Sequence, residues 1–182
     1  MAPHVCPWWV GYILINPLRK LRENPRKILG PYVKQGMTVM DIGCGMGFFT
    51  LEMARLVGPN GLVIGVDLQE RMLDALKKRA ARLGLSDRIR THRCDSVSLG
   101  EHPPIDFVLA CYVAHEVPDR GSFFSQIGSF LKPGGKLLLA EPKLHVSKSE
   151  FTAIVADAVA SGLVHVGESA VKIGRNAEFH KQ

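Results

Sequence analysis

Three carboxylates and three glycines carry the first chemical signal in this chain. The run Asp41-Ile42-Gly43-Cys44-Gly45-Met46-Gly47 follows a short apolar stretch. Alternate glycines there let the backbone turn tightly and bring its amides close to a ligand, with no Cβ in the way. A dinucleotide loop would set its third glycine where Phe48 stands, and a Walker loop would continue into Gly-Lys-Ser/Thr; the chain does neither. Asp41, two residues before the first glycine, would repel a pyrophosphate and attract an ammonium group. Asp67 closes a second apolar run and suits the two hydroxyls of a ribose. Asp95, in Cys94-Asp95-Ser96, can accept from the amino group of an adenine. Each acid alone reads equally well as a turn or cap residue. Together, at three successive strand ends, they predict a site that cradles an amino-acid tail and grips a sugar.

The elements that must position these residues alternate in type. Apolar runs at 37–42, 62–66, 105–111 and 136–140 read as buried strands, with a weaker candidate at 89–94. Between them the spacing predicts helices over 48–57 and 69–83, the second stopped by Gly84, and a stripe of Phe123, Phe124, Ile127, Phe130 and Leu131 ended by a turn at Lys132-Pro133-Gly134-Gly135. Ser147 and Glu150 have capping-box spacing before a last helix, and 163–166 and 177–180 read as closing strands. Strands alternating with helices of this length imply right-handed βαβ crossovers. The expected fold is α/β: a Rossmann-like, doubly wound sheet, mostly parallel, of seven strands with an antiparallel C-terminal strand. Ligands of such sheets bind at the carboxyl ends of the strands, where strand order reverses. That is where the glycines fall.

The run Val39-Met40-Asp41-Ile42-Gly43-Cys44-Gly45-Met46-Gly47 resembles the first motif of class I S-adenosylmethionine (SAM)-dependent methyltransferases. Val63-Ile64-Gly65-Val66-Asp67 is similar to their second-strand motif, the run 105–111 to their fourth strand, and Leu131-Lys132-Pro133-Gly134-Gly135-Lys136-Leu137 to their fifth-strand turn. The resemblance covers about residues 30–180, and its nearest branch includes the ubiquinone/menaquinone-type small-molecule enzymes. It implies SAM as cofactor, with Gly43, Gly45 and Gly47 along the methionine part and Cys44 inside their loop. It further implies Asp41 near the amino group, Asp67 on the ribose, Leu68 and Met72 flanking the adenine, and Asp95 and Ser96 at the adenine edge. Cys111 and Tyr112 would face the donor methyl. No metal is implied.

Transfer from a sulfonium leans on positioning and desolvation, and a base is needed only where the acceptor holds a proton at neutral pH. Candidates after the fourth and fifth strands are Tyr112, His115, Glu116, Glu141 and His145. His115 is preferred, because an imidazole takes a proton near neutrality; the alternative is that His115-Glu116-Val117-Pro118 only shapes a loop. Residues 1–24 form a separate segment, and Trp8, Trp9, Tyr12 and Ile13 suit either a lid over the site or a hydrophobic anchor. Residues 25–182 form the SAM-binding domain. No large cap is inserted before the last helix, which favours a small-molecule acceptor, or a homodimer that completes the site.

The 182 residues suit one domain, with 46% hydrophobic and 22% charged residues. The run Trp8 to Ile15 is too short to span a bilayer and lacks the flanks of a signal peptide, so the expected location is the cytoplasm. Cys6, Cys44, Cys94 and Cys111 are scattered and read as reduced thiols. A gathering of Cys6, Cys94 and Cys111 would instead suit a soft metalloid acceptor of the arsenic type. The net charge of +6 raises nucleic acid as a partner, with a basic stretch from Arg19 to Lys27. Against it, the fourth strand ends in Ala110-Cys111-Tyr112-Val113 rather than an Asn/Asp-Pro-Pro-Tyr base pocket. Lys77, Lys78, Arg79 and Arg82 read as one solvated helix face. A non-catalytic SAM-binding regulator is the remaining alternative.

Overall fold

The computed structural model describes residues 23–182. The 1–24 lid except Glu23 and Asn24, Cys6, and the part of the basic stretch from Arg19 to Arg22 lie outside the described residues. Strands are β1 (Thr38–Ile42), β2 (Leu62–Asp67), β3 (Ile89–Arg93), β4 (Ile105–Cys111), β5 (Leu131–Glu141), β6 (Val164–Gly167) and β7 (Arg175–His180). Helices are α1 (Pro25–Leu29), α2 (Thr50–Leu56), α3 (Glu70–Arg82), α4 (Arg120–Phe130) and α5 (Lys148–Ala160).

One sheet runs in the order β3-β2-β1-β4-β5-β7-β6. The pairs β1–β2, β1–β4, β2–β3 and β4–β5 are parallel, and β7 lies antiparallel to both β5 and β6. Strand alternation sends Val39, Leu109 and Leu138 to the face covered by α1, α2 and α3, and Met40, Ala110 and Leu139 to the face covered by α4 and α5. Both faces are dry, which is why the central strands read as continuous apolar runs.

Helix starts follow their caps. The Asn24 Oδ1 accepts from the amides of Arg26 and Lys27 ahead of Pro25, Asp119 Oδ1 from Ser122, and Ser147 Oγ from Glu150 as its spacing predicts. Gly84, at φ +64°, ends α3.

Two elements depart from expectation. The helix expected from residue 48 begins at Thr50, because residues 45–49 are still turning out of the glycine loop. The Lys132-Pro133-Gly134-Gly135 run is not a separate turn but a bulged start to β5, whose register jumps from Ile105↔Leu131 to Phe107↔Lys136. A bulge tolerates Pro133, which has no N–H, and Gly134 at φ +75°. The Gly134 amide donates to the Lys181 carbonyl, holding the bulge to the chain beyond β7.

Candidate active site

Strand order reverses between β1 and β4, so the loops leaving their carboxyl ends turn to opposite faces of the sheet. A cavity of about 610 Å³ opens in that crevice, a size suited to a nucleoside-sized ligand. Asp41, Gly43, Cys44, Gly45, Asp67, Leu68, Met72, Asp95, Ser96, Cys111 and Tyr112 all stand on its wall. Of the sequence-predicted donor residues, Gly47 alone lies off the wall, behind the loop.

The glycine loop is fixed from β2. The amides of Gly43 and Cys44 donate to the Val66 carbonyl at 2.8 and 3.0 Å, and the Gly45 amide donates to Asp67 Oδ2 at 2.8 Å. Asp67 Oδ1 accepts from the Gln69 amide at 2.9 Å. Burial pushes the Asp67 carboxyl up, and the amides of Gln69, Gly45 and Leu68 work against it. With about four lone-pair positions on a carboxylate, these bonds leave acceptor capacity toward the cavity. The loop needs glycine for two different reasons. At Gly43 (φ +70°) a Cβ would strike Val113 Cγ2, whereas at Gly45 (φ +52°) a Cβ would meet no protein atom within 4 Å. Gly45 therefore borders open space, and it stands on the cavity wall.

Asp41 is buried and accepts from Thr50 Oγ1 at 2.5 Å, so the first residue of α2 helps to hold the acid predicted to lie near an amino group. Asp95 is exposed. Its Oδ1 accepts from the amides of Val97 and Ser98 at 2.7 and 2.6 Å, and the bonds from Ser98 and Val97 hold its carboxyl below the usual range. Gln126 of α4 braces the same loop, accepting from the Leu99 amide at 2.8 Å and donating to the Val97 carbonyl at 2.9 Å. Sequence reasoning missed Thr50 and Gln126. Nothing in their local pattern marks a site, because each serves through a partner distant in the chain.

The fourth-strand end is strained. Tyr112 has φ +64°, an unfavourable backbone for a bulky residue. Its amide donates to the Ala140 carbonyl at 2.7 Å and its hydroxyl to Glu23 Oε1 at 2.6 Å. Just beyond, Glu141 is fully buried; Oε1 accepts from the Ala114 amide at 2.8 Å and Oε2 pairs with His115 Nδ1 at 2.6 Å. The Glu141 contact raises the His115 pKa against the opposing effect of burial. Neither His115 nor Glu141 lines the donor cavity, although Val113 and Glu116 do. His115 Nε2 lies 3.9 Å from Glu116 Oε1, so the pair reaches the cavity wall through Glu116. His145 is exposed in the turn after β5 and does not line the cavity.

Cys44 is buried, and its thiol is pushed well up by burial, then by Asp41 and Asp67. Burial likewise pushes Cys94 up to about 11. Both are neutral thiols near pH 7. Among the described residues no group of three His, Cys, Asp or Glu side chains is placed to hold a metal ion.

The α3 surface corrects one expectation. Lys77 is solvated and pairs with Glu70 and Asp74 at 3.3 and 3.2 Å. Arg79 instead turns inward and donates to the Met46 carbonyl of the glycine loop. Met72, Leu76 and Arg79 share one stripe of α3, so Arg79 sits at the edge of the buried face, where a long side chain can lay its stem on apolar surface.

The chain belongs to the methyltransferase-domain family, whose pattern it matches over residues 33–172. It is 34% identical to a demethylmenaquinone methyltransferase of Lactobacillus johnsonii over 110 residues, covering 60% of this chain and 45% of that protein. With the Staphylococcus aureus demethylmenaquinone methyltransferase it shares 30% identity over 134 residues, 71% of this chain and 54% of that one. The chain spans about half the length of these curated relatives. In fold it is similar to a SAM-dependent methyltransferase from Aquifex aeolicus, with TM-score 0.82 and 22% identity over 97% of this chain and 98% of that one. TrmN from Thermus thermophilus superposes with TM-score 0.71 at 26% identity, covering 87% of this chain and 48% of that one. Among the described residues, no helix is long and apolar enough to cross a membrane.

Proposed function

We propose that this chain transfers the methyl group of SAM to a small-molecule acceptor. The observation that carries the reading is the Gly45 amide bonded to Asp67 Oδ2 on the wall of the 610 Å³ cavity, at a glycine whose absent Cβ leaves open space. When bound, SAM supplies a sulfonium methyl that needs no further activation. The chain's own residues hold and orient it. The backbone of Gly43 and Gly45 follows the methionine part, with Gly47 shaping the loop from behind and Asp41 near the amino group. Asp67 takes the ribose hydroxyls, Leu68 and Met72 flank the adenine, and the braced loop of Asp95 and Ser96 meets its edge. Cys111 and Tyr112 border the methyl.

His115 acts on the acceptor's side. Glu141 fixes its Nδ1, which leaves Nε2 directed toward Glu116 at the wall and able to take a proton from an acceptor that carries one. The names of the relatives make a demethylmenaquinone-like ring the first acceptor to test. The site is completed by residues 1–24 or by a second copy of the chain, in the cytoplasm.

Calorimetry with SAM, followed by S-adenosylhomocysteine release across an acceptor panel headed by a demethylmenaquinone analogue, tests the reading. Saturable SAM binding together with acceptor-dependent release is expected. Folded protein that takes up no SAM would sink it, and SAM binding without release on any acceptor would favour a regulatory SAM-binding protein.

A further inference from the structure

A second cavity, of about 360 Å³, lies on the far side of the glycine loop between α1, α2 and α3. Among the described residues, three guanidinium-bearing side chains line it, Arg26, Arg55 and Arg79, with Glu52 as the only acid. Glu52 is already engaged by Arg55 at 3.0 Å. No described group hydrogen-bonds or pairs with the Arg26 guanidinium. Arg79 is held partly out of water, and its bond to the Met46 carbonyl uses one of five N–H donors. Burial and the neighbouring Arg55 both act against its charge. Residues 1–22 contain no Asp or Glu. Phe48, Leu51 and Leu83 add an apolar floor beside the arginines.

We propose that this cavity binds a small phosphate-bearing anion, and that its occupancy is felt at the SAM site through Arg79 and Met46. Guanidinium forks match the oxygens of a phosphate in a way that chloride cannot exploit. The apolar floor suits a phosphomonoester carrying a ring. An anion settling between Arg55 and Arg79 relieves their mutual repulsion and redirects Arg79 donors. Because Arg79 grips the loop that carries Gly45 and Gly47, donor and anion affinities are then linked and must shift by the same factor.

The test uses the full chain, with inorganic phosphate and phenyl phosphate as probes in buffers matched in ionic strength with chloride. Calorimetry on the wild type should show saturable binding of both probes, phenyl phosphate more tightly. In the double variant Arg26→Gln/Arg55→Gln that binding should weaken by roughly tenfold or more, as the loss of charge-assisted bonds implies. The same variant should keep wild-type SAM affinity in chloride, which shows that it is folded and separates this proposal from the methyltransferase reading. No saturable uptake by the wild type, or equal uptake by the double variant, overturns the site. A wild-type SAM affinity identical in chloride and in saturating phosphate overturns the coupling.

Discussion

Asp67 and His115 show how one side chain can serve two ends. Asp67 ties the glycine loop to the residues after β2 through two backbone amides, so its removal should be felt twice. Asp67→Ala is expected to weaken SAM binding, and to lower unfolding stability, by about 1–3 kcal/mol each, the cost of buried donors left without a partner; calorimetry and urea titration measure the two. His115 stands off the donor cavity. His115→Ala should therefore slow methyl transfer while SAM affinity stays at the wild-type level, and an unchanged turnover rate would reduce it to a scaffold residue. The raised pKa of His115 also fixes a pH dependence. Its folded pKa lies above the ordinary 6.5, so the stabilisation from the Glu141 pair is complete below 6.5 and is lost as pH rises through the folded value. The stability gap between wild type and His115→Gln should accordingly shrink on going from mildly acid to mildly alkaline urea titrations. A gap that widened would contradict a raised His115 pKa.

At the scale of the element, the loop from β1 to α2 separates folding from binding. Gly43 and Gly45 both have positive φ, worth about 1–2 kcal/mol against any other residue. Only at Gly43 would a methyl group also strike Val113. Gly43→Ala should thus cost clearly more stability than Gly45→Ala, while Gly45→Ala loses SAM affinity out of proportion to its stability loss. Chemical denaturation read alongside SAM calorimetry distinguishes the two; equal behaviour would mean that the open side of Gly45 does not face the ligand. The bulge opening β5 shows a related division. Pro133 and Gly134 read as a helix stop in the sequence, but α4 ends at Phe130 and the chain rejoins the sheet at Leu131, before they occur.

For the whole molecule, two apolar layers sandwich the sheet and hold the strand ends in register. Phe124 of α4 is fully buried in the layer over Met40, Val108 and Leu139. Phe124→Ala should cost about 3–5 kcal/mol, the usual range for a buried aromatic truncated to alanine. That is a large share of a typical domain's stability, and it should appear as a lowered urea midpoint. The crevice between β1 and β4 exists only because both layers form, so Phe124→Ala should lower SAM binding in proportion to the unfolded fraction and leave the affinity of the folded fraction unchanged.

Much of this was legible in the chain itself. The strands, their alternation with helices, the Gly84 and Ser147 caps and the placing of the glycine run at a strand end follow from local periodicity and short-range spacing, which act over a few residues and leave a mark in order and composition. Tertiary structure alone decided the rest. Asp41 meets Thr50, Gln126 braces the Asp95 loop, Arg79 turns to Met46, and the His115–Glu141 pair stands beside the donor cavity rather than on its wall. Each of these joins groups brought together by packing from separate elements. A linear pattern records which side chains are available; only the folded sheet, with its helices in place, sets the distances and burial that determine what they do.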